Sequence, residues 1–257
     1  MLFLDGNSDK VREYNRNKEN AGKSEASWRK HEYLRDAVVG QVAAFNAKHR
    51  VPMVFIDGNA GDGVGVDHAQ KTLFGSNISC TTAELLYNIA GTFGTDLILC
   101  EKDASRRRAL VKKFPNAMIV HDHALAPACI GSHHQYALWV SDPDGPKDHG
   151  IDAMRAVSNN VKFADFVIAF NEGVIASRMT SEHGIGKSEA HCRAYRTCQE
   201  RYVPMMNPDW WTKSLGRRRL SRTKIFKASA NFKYRVMVVS DYLSSAVRGR
   251  HGFSVAV

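Results

Sequence analysis

The sequence predicts an α/β protein built on a mostly parallel, doubly wound sheet with late antiparallel strands. Three observations lead there. Short apolar runs recur along the first 170 residues and alternate with amphipathic segments of helical period. Four of these runs end on a polar or acidic turn: Asp57, Glu101, Asp122 and Asp142. The first run, Val51-Pro52-Met53-Val54-Phe55-Ile56-Asp57, leads into the glycine-rich turn Gly58-Asn59-Ala60-Gly61-Asp62-Gly63. In a parallel sheet all such strand ends share one edge, and open α/β folds bind their ligands there.

Each element has its own local reason. Residues 5–23 are polar and poor in apolar side chains, so 1–26 read as a mobile leader before a single domain over 27–257. A helix is expected over Ser27–Lys48, with Leu34, Val38, Val42 and Phe45 on one face. After the glycine turn a polar loop runs to Ser79. Thr81-Thr82-Ala83-Glu84 has the form of a capping box, ahead of Leu85, Leu86, Ile89 and Phe93. Asp96–Cys100 reads as a second buried strand. Ser105–Phe114 reads as a short basic helix stopped by Pro115. Strands follow at Ala117–Val120, Ala137–Val140 and Asp165–Phe170, with a helix over 151–162. Beyond these, 187–202 reads as a helix, and Arg235–Ser240 and Gly252–Val257 as two late strands.

Charge and cysteine content narrow the class. The net charge is +10. Residues 212–257 hold eleven Lys or Arg against one acid, Asp241, so this segment carries the whole excess. Such a block suits a polyanionic partner. Within it Arg217, Arg218, Arg219, Arg222 and Lys224 follow Trp210-Trp211, a mix that phosphate contact and base stacking would use. The alternative is a basic surface helix beside two core tryptophans. Five scattered cysteines favour reduced thiols and a cytoplasmic setting over a disulfide framework. No apolar stretch approaches a membrane span, and the N-terminus lacks the layout of a signal peptide. His121, His123, His133 and His134 with Cys129, and His183, His191, Cys192 and Cys198, lack paired metal-ligand spacing, so no metal centre is expected.

The turn at 57–63 narrows the ligand. Gly-x-Gly-x-x-Gly is not met, because Val66 stands at the third glycine. No Gly-Lys-Ser/Thr follows, which excludes a P-loop. A calcium loop fails because its glycine falls one position late and His68 occupies the twelfth position. What remains is an acid followed four and six residues later by glycine. That is the pattern of S-adenosylmethionine sites in Rossmann-like methyltransferases.

Asp57-Gly58-Asn59-Ala60-Gly61-Asp62-Gly63 resembles the Asp-Gly-Phe-Ala-Gly-x-Gly turn of the three-Cys-motif partner proteins, a prokaryotic and phage family with a methyltransferase-like fold. Lys30–Leu34, Gly75-Ser76, Glu101, Trp139–Gly145 and Phe166–Asn171 with Arg178 are similar to that family's other motifs, in order, over roughly 28–180. The resemblance implies a Rossmann-like methyltransferase fold and S-adenosylmethionine as cofactor. Asp57, Gly58, Ala60, Gly61 and Gly63 would hold its methionine end, Glu101 its ribose and Asp122 its adenine amine, with Lys102 also in the cofactor site. Asp142, Pro143 and Asp144 would face the acceptor. Two positions depart from the pattern: Asn59 and Asp144 stand where the family carries aromatics. An aromatic after Asp-Pro would stack on a flipped base. Its absence leaves two readings open, a methyltransferase of an anionic substrate such as nucleic acid, and a non-catalytic partner protein that binds protein or nucleic acid. A phosphoester enzyme using the clustered acids with a divalent metal is a third.

Overall fold

The computed structural model describes residues 30, 31, 33–63, 81–143, 149–172, 198–215, 220–229 and 232–240. The leader, the loop at 64–80, Asp144, Arg178, most of 187–202, Arg217–Arg219 and the strand expected at Gly252–Val257 lie outside them.

Among the described residues seven strands form one sheet in the order β3-β2-β1-β4-β5-β7-β6. They are β1 (Met53–Asp57), β2 (Asp96–Cys100), β3 (Met118–Val120), β4 (Tyr136–Ser141), β5 (Phe163–Asn171), β6 (Leu220–Ser229) and β7 (Phe232–Ser240). The first five are parallel, and β7 runs antiparallel to both β5 and β6. This is the Rossmann-like methyltransferase fold that the sequence predicts. The chain winds outward from β1 through β2 to β3, then returns to lay β4 on the other side of β1. The switch point therefore lies between β1 and β4, the position where open α/β sheets bind ligands.

Among the described residues the α-helices are α1 (Gly40–Lys48), α2 (Thr82–Phe93), α3 (Ala104–Lys113), α4 (Ile151–Asn160) and α5 (Pro208–Ser214). Period-two alternation decides which strand residues meet which helices. Phe55, Leu97, Leu99, Leu138, Val140, Val167, Val236 and Val238 face α1, α2 and Phe114. Val54, Ile56, Ile98, Ala137, Trp139, Phe166, Ile168, Met237 and Val239 face α4, Met205, Trp211 and Leu215. Every residue of β1 is buried, because both faces are covered. Each of its apolar side chains contributes roughly 1.5–3 kcal/mol on burial.

The capping box holds in part. Thr81 Oγ1 accepts the Glu84 N–H at 3.1 Å, while the Glu84 carboxylate pairs with Lys113 Nζ at 3.2 Å. Asp103 caps α3 by accepting the Ser105 and Arg106 N–H groups. The hydrogen bond from the Ser105 hydroxyl, followed by those from the Arg106 and Ser105 N–H groups, lowers its carboxyl below the ordinary range.

Two expectations are corrected. The helix over Ser27–Lys48 is not one regular α-helix, since Leu34–Val39 is π-helical before α1 begins. Leu34, Val38 and Val42 are buried, and the side chain of Phe45 lies outside the described residues. Residues 220–229 form a strand and not the surface helix weighed as an alternative. Lys- and Arg-rich sequence hides strand periodicity when the strand lies at a sheet edge. Arg222 and Lys224 sit two residues apart on this edge strand, in register with Val238 and Val236. Trp211 is fully buried, its Nε1 donating to the Met205 carbonyl at 2.7 Å. Among the described residues no helix is long and apolar enough to cross a membrane.

Candidate active site

A cavity of about 670 Å³ opens at the carboxyl edge of the sheet, over the switch point. Its wall includes Gly58, Asn59 and Gly61 after β1, Glu101 and Lys102 after β2, His121–Ala124 after β3, and Asp142 and Pro143 after β4. The four strand ends marked in the sequence thus meet at one place. Its volume is in the range of small-molecule and cofactor sites, about 300–1,000 Å³.

The turn after β1 continues the sheet ladder. Gly58 N–H donates to the Val140 carbonyl at 2.8 Å, and Ala60 N–H to the Cys100 carbonyl at 3.0 Å. Asp57 is fully buried beneath the turn and does not line the cavity. Its Oδ1 accepts the Asn59 N–H at 2.9 Å, while its Oδ2 has no partner among the described residues. Burial drives the Asp57 carboxyl up to about 7 against the pull of that one hydrogen bond, and nearby Asp142 and Glu101 add to the rise.

The three glycines of the turn serve different ends. Gly61 has a φ of +64°, and a Cβ there would meet nothing within 4 Å, so it borders open space. Gly63 (φ +69°) is closed off instead, because a Cβ would lie 2.7 Å from Phe114 and 3.0 Å from Leu110. A Cβ on Gly58 would lie 2.8 Å from Trp139 Nε1. Of the three, Gly61 alone faces open space, whereas Gly58 and Gly63 permit close packing. Ala60 is buried against the α1–α2 side of the core.

Glu101 is nearly buried and lines the cavity. Its Oε1 accepts the Asp103 N–H at 2.8 Å, which uses one of the roughly four acceptor sites of a carboxylate. Arg107 Nη1 ties down the backbone of this turn through the carbonyls of Glu101 (3.0 Å) and Lys102 (2.6 Å). Asp122 is exposed at the rim and accepts the Ala124 N–H at 2.9 Å, as an N-cap of the 3₁₀ turn over His123–Cys129. His123 Nε2 contacts the Gly58 carbonyl, and its ring lies edge-on to Trp139. A Cβ on Gly150 would fall 2.6 Å from the same ring, so His123 brackets the turn against the start of α4.

The end of β4 holds the densest polar cluster. Lys30 Nζ donates to Asp142 Oδ1 at 2.7 Å and Oδ2 at 2.5 Å, with side-chain exposures of only 4% and 13%. His31 Nε2 lies 3.8 Å from the same carboxylate. Burial alone would raise the Asp142 carboxyl, but Lys30, with help from His31, outweighs it and holds the group below its ordinary value. Ser141 Oγ donates to Asn59 Oδ1 at 3.1 Å and lies 2.8 Å from His149 Nδ1. That order makes His149 Nδ1 the donor and leaves a lone pair on Nε2. Burial against Phe170 and Trp211 pushes the His149 imidazole down to about 3, so it is neutral near pH 7. His31 is pushed down to about 4, again by burial and then by Lys30. Four buried polar atoms around the turn have no partner among the described residues: His31 Nδ1, Asp57 Oδ2, Trp139 Nε1 and His149 Nε2.

No protein-family profile and no curated protein matches this sequence. Solved structures with a similar chain path include methyltransferases. The plantazolicin methyltransferase BpumL, in complex with a pentazolic desmethylPZN analog and SAH, aligns over 91% of this chain and 91% of its own at 11% identity and a TM-score of 0.46. A precorrin-6y C5,15-methyltransferase from Geobacter metallireducens aligns over 78% and 87%, at 12% identity and a TM-score of 0.38. An rRNA methylase from Streptococcus thermophilus aligns over 78% and 94%, at 10% identity and a TM-score of 0.34. Likenesses this distant do not say what the chain binds, so the residues of the site have to carry the functional reading.

Of the site residues expected from the sequence, Gly58, Gly61, Glu101, Lys102, Asp122, Asp142 and Pro143 line the cavity, whereas Asp57, Ala60 and Gly63 do not. Asp144 lies outside the described residues. The sequence did not mark Arg106 or the Gly150–Ala153 start of α4, which also line the wall, nor His149 behind them, while His121 and His123, also on the wall, entered among the histidines considered for metal binding. Lys30 entered only as part of a leading helix, since nothing in its local sequence points to a partner 112 residues away.

Proposed function

We propose that the chain is an S-adenosylmethionine-dependent methyltransferase acting on an anionic substrate, with nucleic acid as the class its basic C-terminal segment suits. The observation that carries this reading is the convergence of an open glycine, a buried ribose-type carboxylate and a polar β4 end on one cavity at the switch point. The donor set fits the cofactor. Gly61 leaves backbone open to a methionine tail, Glu101 keeps acceptor capacity for two ribose hydroxyls, and Asp122 stands at the rim for an adenine amine. S-adenosylmethionine supplies a methyl group on sulfonium, already a good leaving group. The protein then has mainly to position the acceptor. Asp142, held anionic by Lys30, would orient a donor group on the acceptor and is a poor proton acceptor. His149 keeps a neutral lone pair nearby.

A second reading has its own support. Lys30 engages both Asp142 oxygens, and no aromatic follows Asp142-Pro143. Both features favour a non-catalytic, methyltransferase-like partner protein that keeps the pocket and binds another protein or nucleic acid. Membership of the three-Cys-motif partner family belongs to this proposal and rests on the order of the motifs.

Calorimetric titration with S-adenosylhomocysteine, beside Glu101→Gln, tests the pocket. Micromolar binding by the wild type, weakened roughly 10- to 100-fold in the variant, is expected from the loss of charged hydrogen bonds. Transfer of labelled methyl to DNA or RNA then supports the enzyme, and binding without transfer supports the partner protein. No binding to a folded protein overturns both cofactor readings.

A further inference from the structure

At the opposite, amino edge of the sheet, Asp96 opens β2 while His133 and His134 precede β4. β1 lies between these strands, pairing Val54 with Asp96 and Met53 with Tyr136. The two loops therefore meet over the start of β1. One ligand atom from each of Asp96, His133 and His134 lies within 4.8 Å of the others. We propose that these three side chains form a divalent transition-metal site, with zinc as the best-suited ion, that clasps the start of β2 to the loop before β4.

Hydrogen bonding supports this over an ordinary polar cluster. His134 is buried, and its Nδ1 lies 3.2 Å from the Gly131 carbonyl, which can only accept. That contact makes Nδ1 the N–H and turns the lone pair of Nε2 outward, as in metal-bound histidines whose other nitrogen donates to backbone. Yet Nε2 faces Asp96 Oδ2 at 3.0 Å. Two lone pairs at that separation need a cation, either a second ring proton or a metal. Two ligands on one tetrahedral zinc, with bonds of about 2.0–2.2 Å, are themselves only about 3.3 Å apart.

The backbone makes room for the pair. A Cβ on Gly131 would fall 2.6 Å from His133 Cε1, 2.7 Å from its Nδ1 and 3.4 Å from His134 Nδ1. Glycine there lets both rings fold back over the loop, with centroids 3.9 Å apart. Two imidazoles and a carboxylate suit zinc, and exposure of Asp96 and His133 leaves the fourth position to water. Sequence spacing could not reveal this set, because Asp96 lies 38 residues from His134. The site is remote from the cavity, so its role is structural.

Zinc titration of the EDTA-treated full chain at pH 7.5, by calorimetry and thermal unfolding, tests the proposal beside His133→Ala and Asp96→Asn. Both residues are exposed, so the variants should fold. One equivalent at micromolar or tighter affinity is expected, with at least tenfold weaker binding in each variant. A zinc-dependent rise in Tm should appear in the wild type alone. Binding weaker than about 100 μM, or binding that neither variant changes, overturns the proposal and leaves an imidazolium–carboxylate pair. The S-adenosylhomocysteine titration is independent of either result.

Discussion

Replacing Asp57 by asparagine is expected to stabilise the protein above pH 7. The carboxyl is fully buried and, among the described residues, has one N–H partner on Oδ1 and none on Oδ2. Its folded value of about 7 stands against an ordinary 3.8. A raised carboxyl favours folding most when protonated. Its contribution is fully present below about pH 4, falls as pH rises, and is lost by about pH 7. At about 1.36 kcal/mol per pH unit the gap amounts to about 4 kcal/mol. Asp57→Asn keeps an oxygen for the Asn59 N–H and removes the charge. The amide swap carries a pH-independent cost of its own, so the quantity to read is how the difference between variant and wild type changes with pH. Urea unfolding at pH 4.5 and pH 8 should move that difference by about 3 kcal/mol in favour of the variant. The buried imidazoles of His31 and His149 run the other way. Depressed to about 4 and about 3, they destabilise the fold as pH drops below 6.5, and so mask Asp57 in the wild-type profile alone. A change below about 1 kcal/mol would mean that water reaches the carboxylate and that the turn is open, which refutes the reasoning.

Three further predictions concern the same edge of the sheet. Lys30→Met strands Asp142 without its partner and should cost about 3–5 kcal/mol, while the double variant with Asp142→Asn should recover much of that loss in a denaturation cycle. If Lys30→Met costs under 1 kcal/mol, the pair is solvated. Gly63→Ala meets both a positive φ and the Phe114 ring, so it should cost about 2–5 kcal/mol. Gly61→Ala meets only the first and should cost about 1–2 kcal/mol in thermal unfolding, its larger effect falling on ligand affinity.

The sequence by itself determined the order of elements and the chemistry at each strand end. Val54, Phe55 and Ile56 mark a strand covered on both faces because burial on both sides needs unbroken apolar residues, a signal local in the chain. Asp57, Glu101, Asp122 and Asp142 were legible as one edge because parallel strands place their carboxyl ends together. β6 was not legible, since its Arg and Lys positions need no buried face and its pairing with β7 is read only from the sheet. Nor could spacing tell which glycine faces space. Gly58, Gly61 and Gly63 are alike in sequence, and only Trp139 and Phe114, brought in from elsewhere, separate them. The Lys30–Asp142 pair and the Asp96–His133–His134 cluster were decided by the tertiary structure alone. Their partners lie far apart in the chain, and electrostatic contact depends on distance in space and on the water excluded around it.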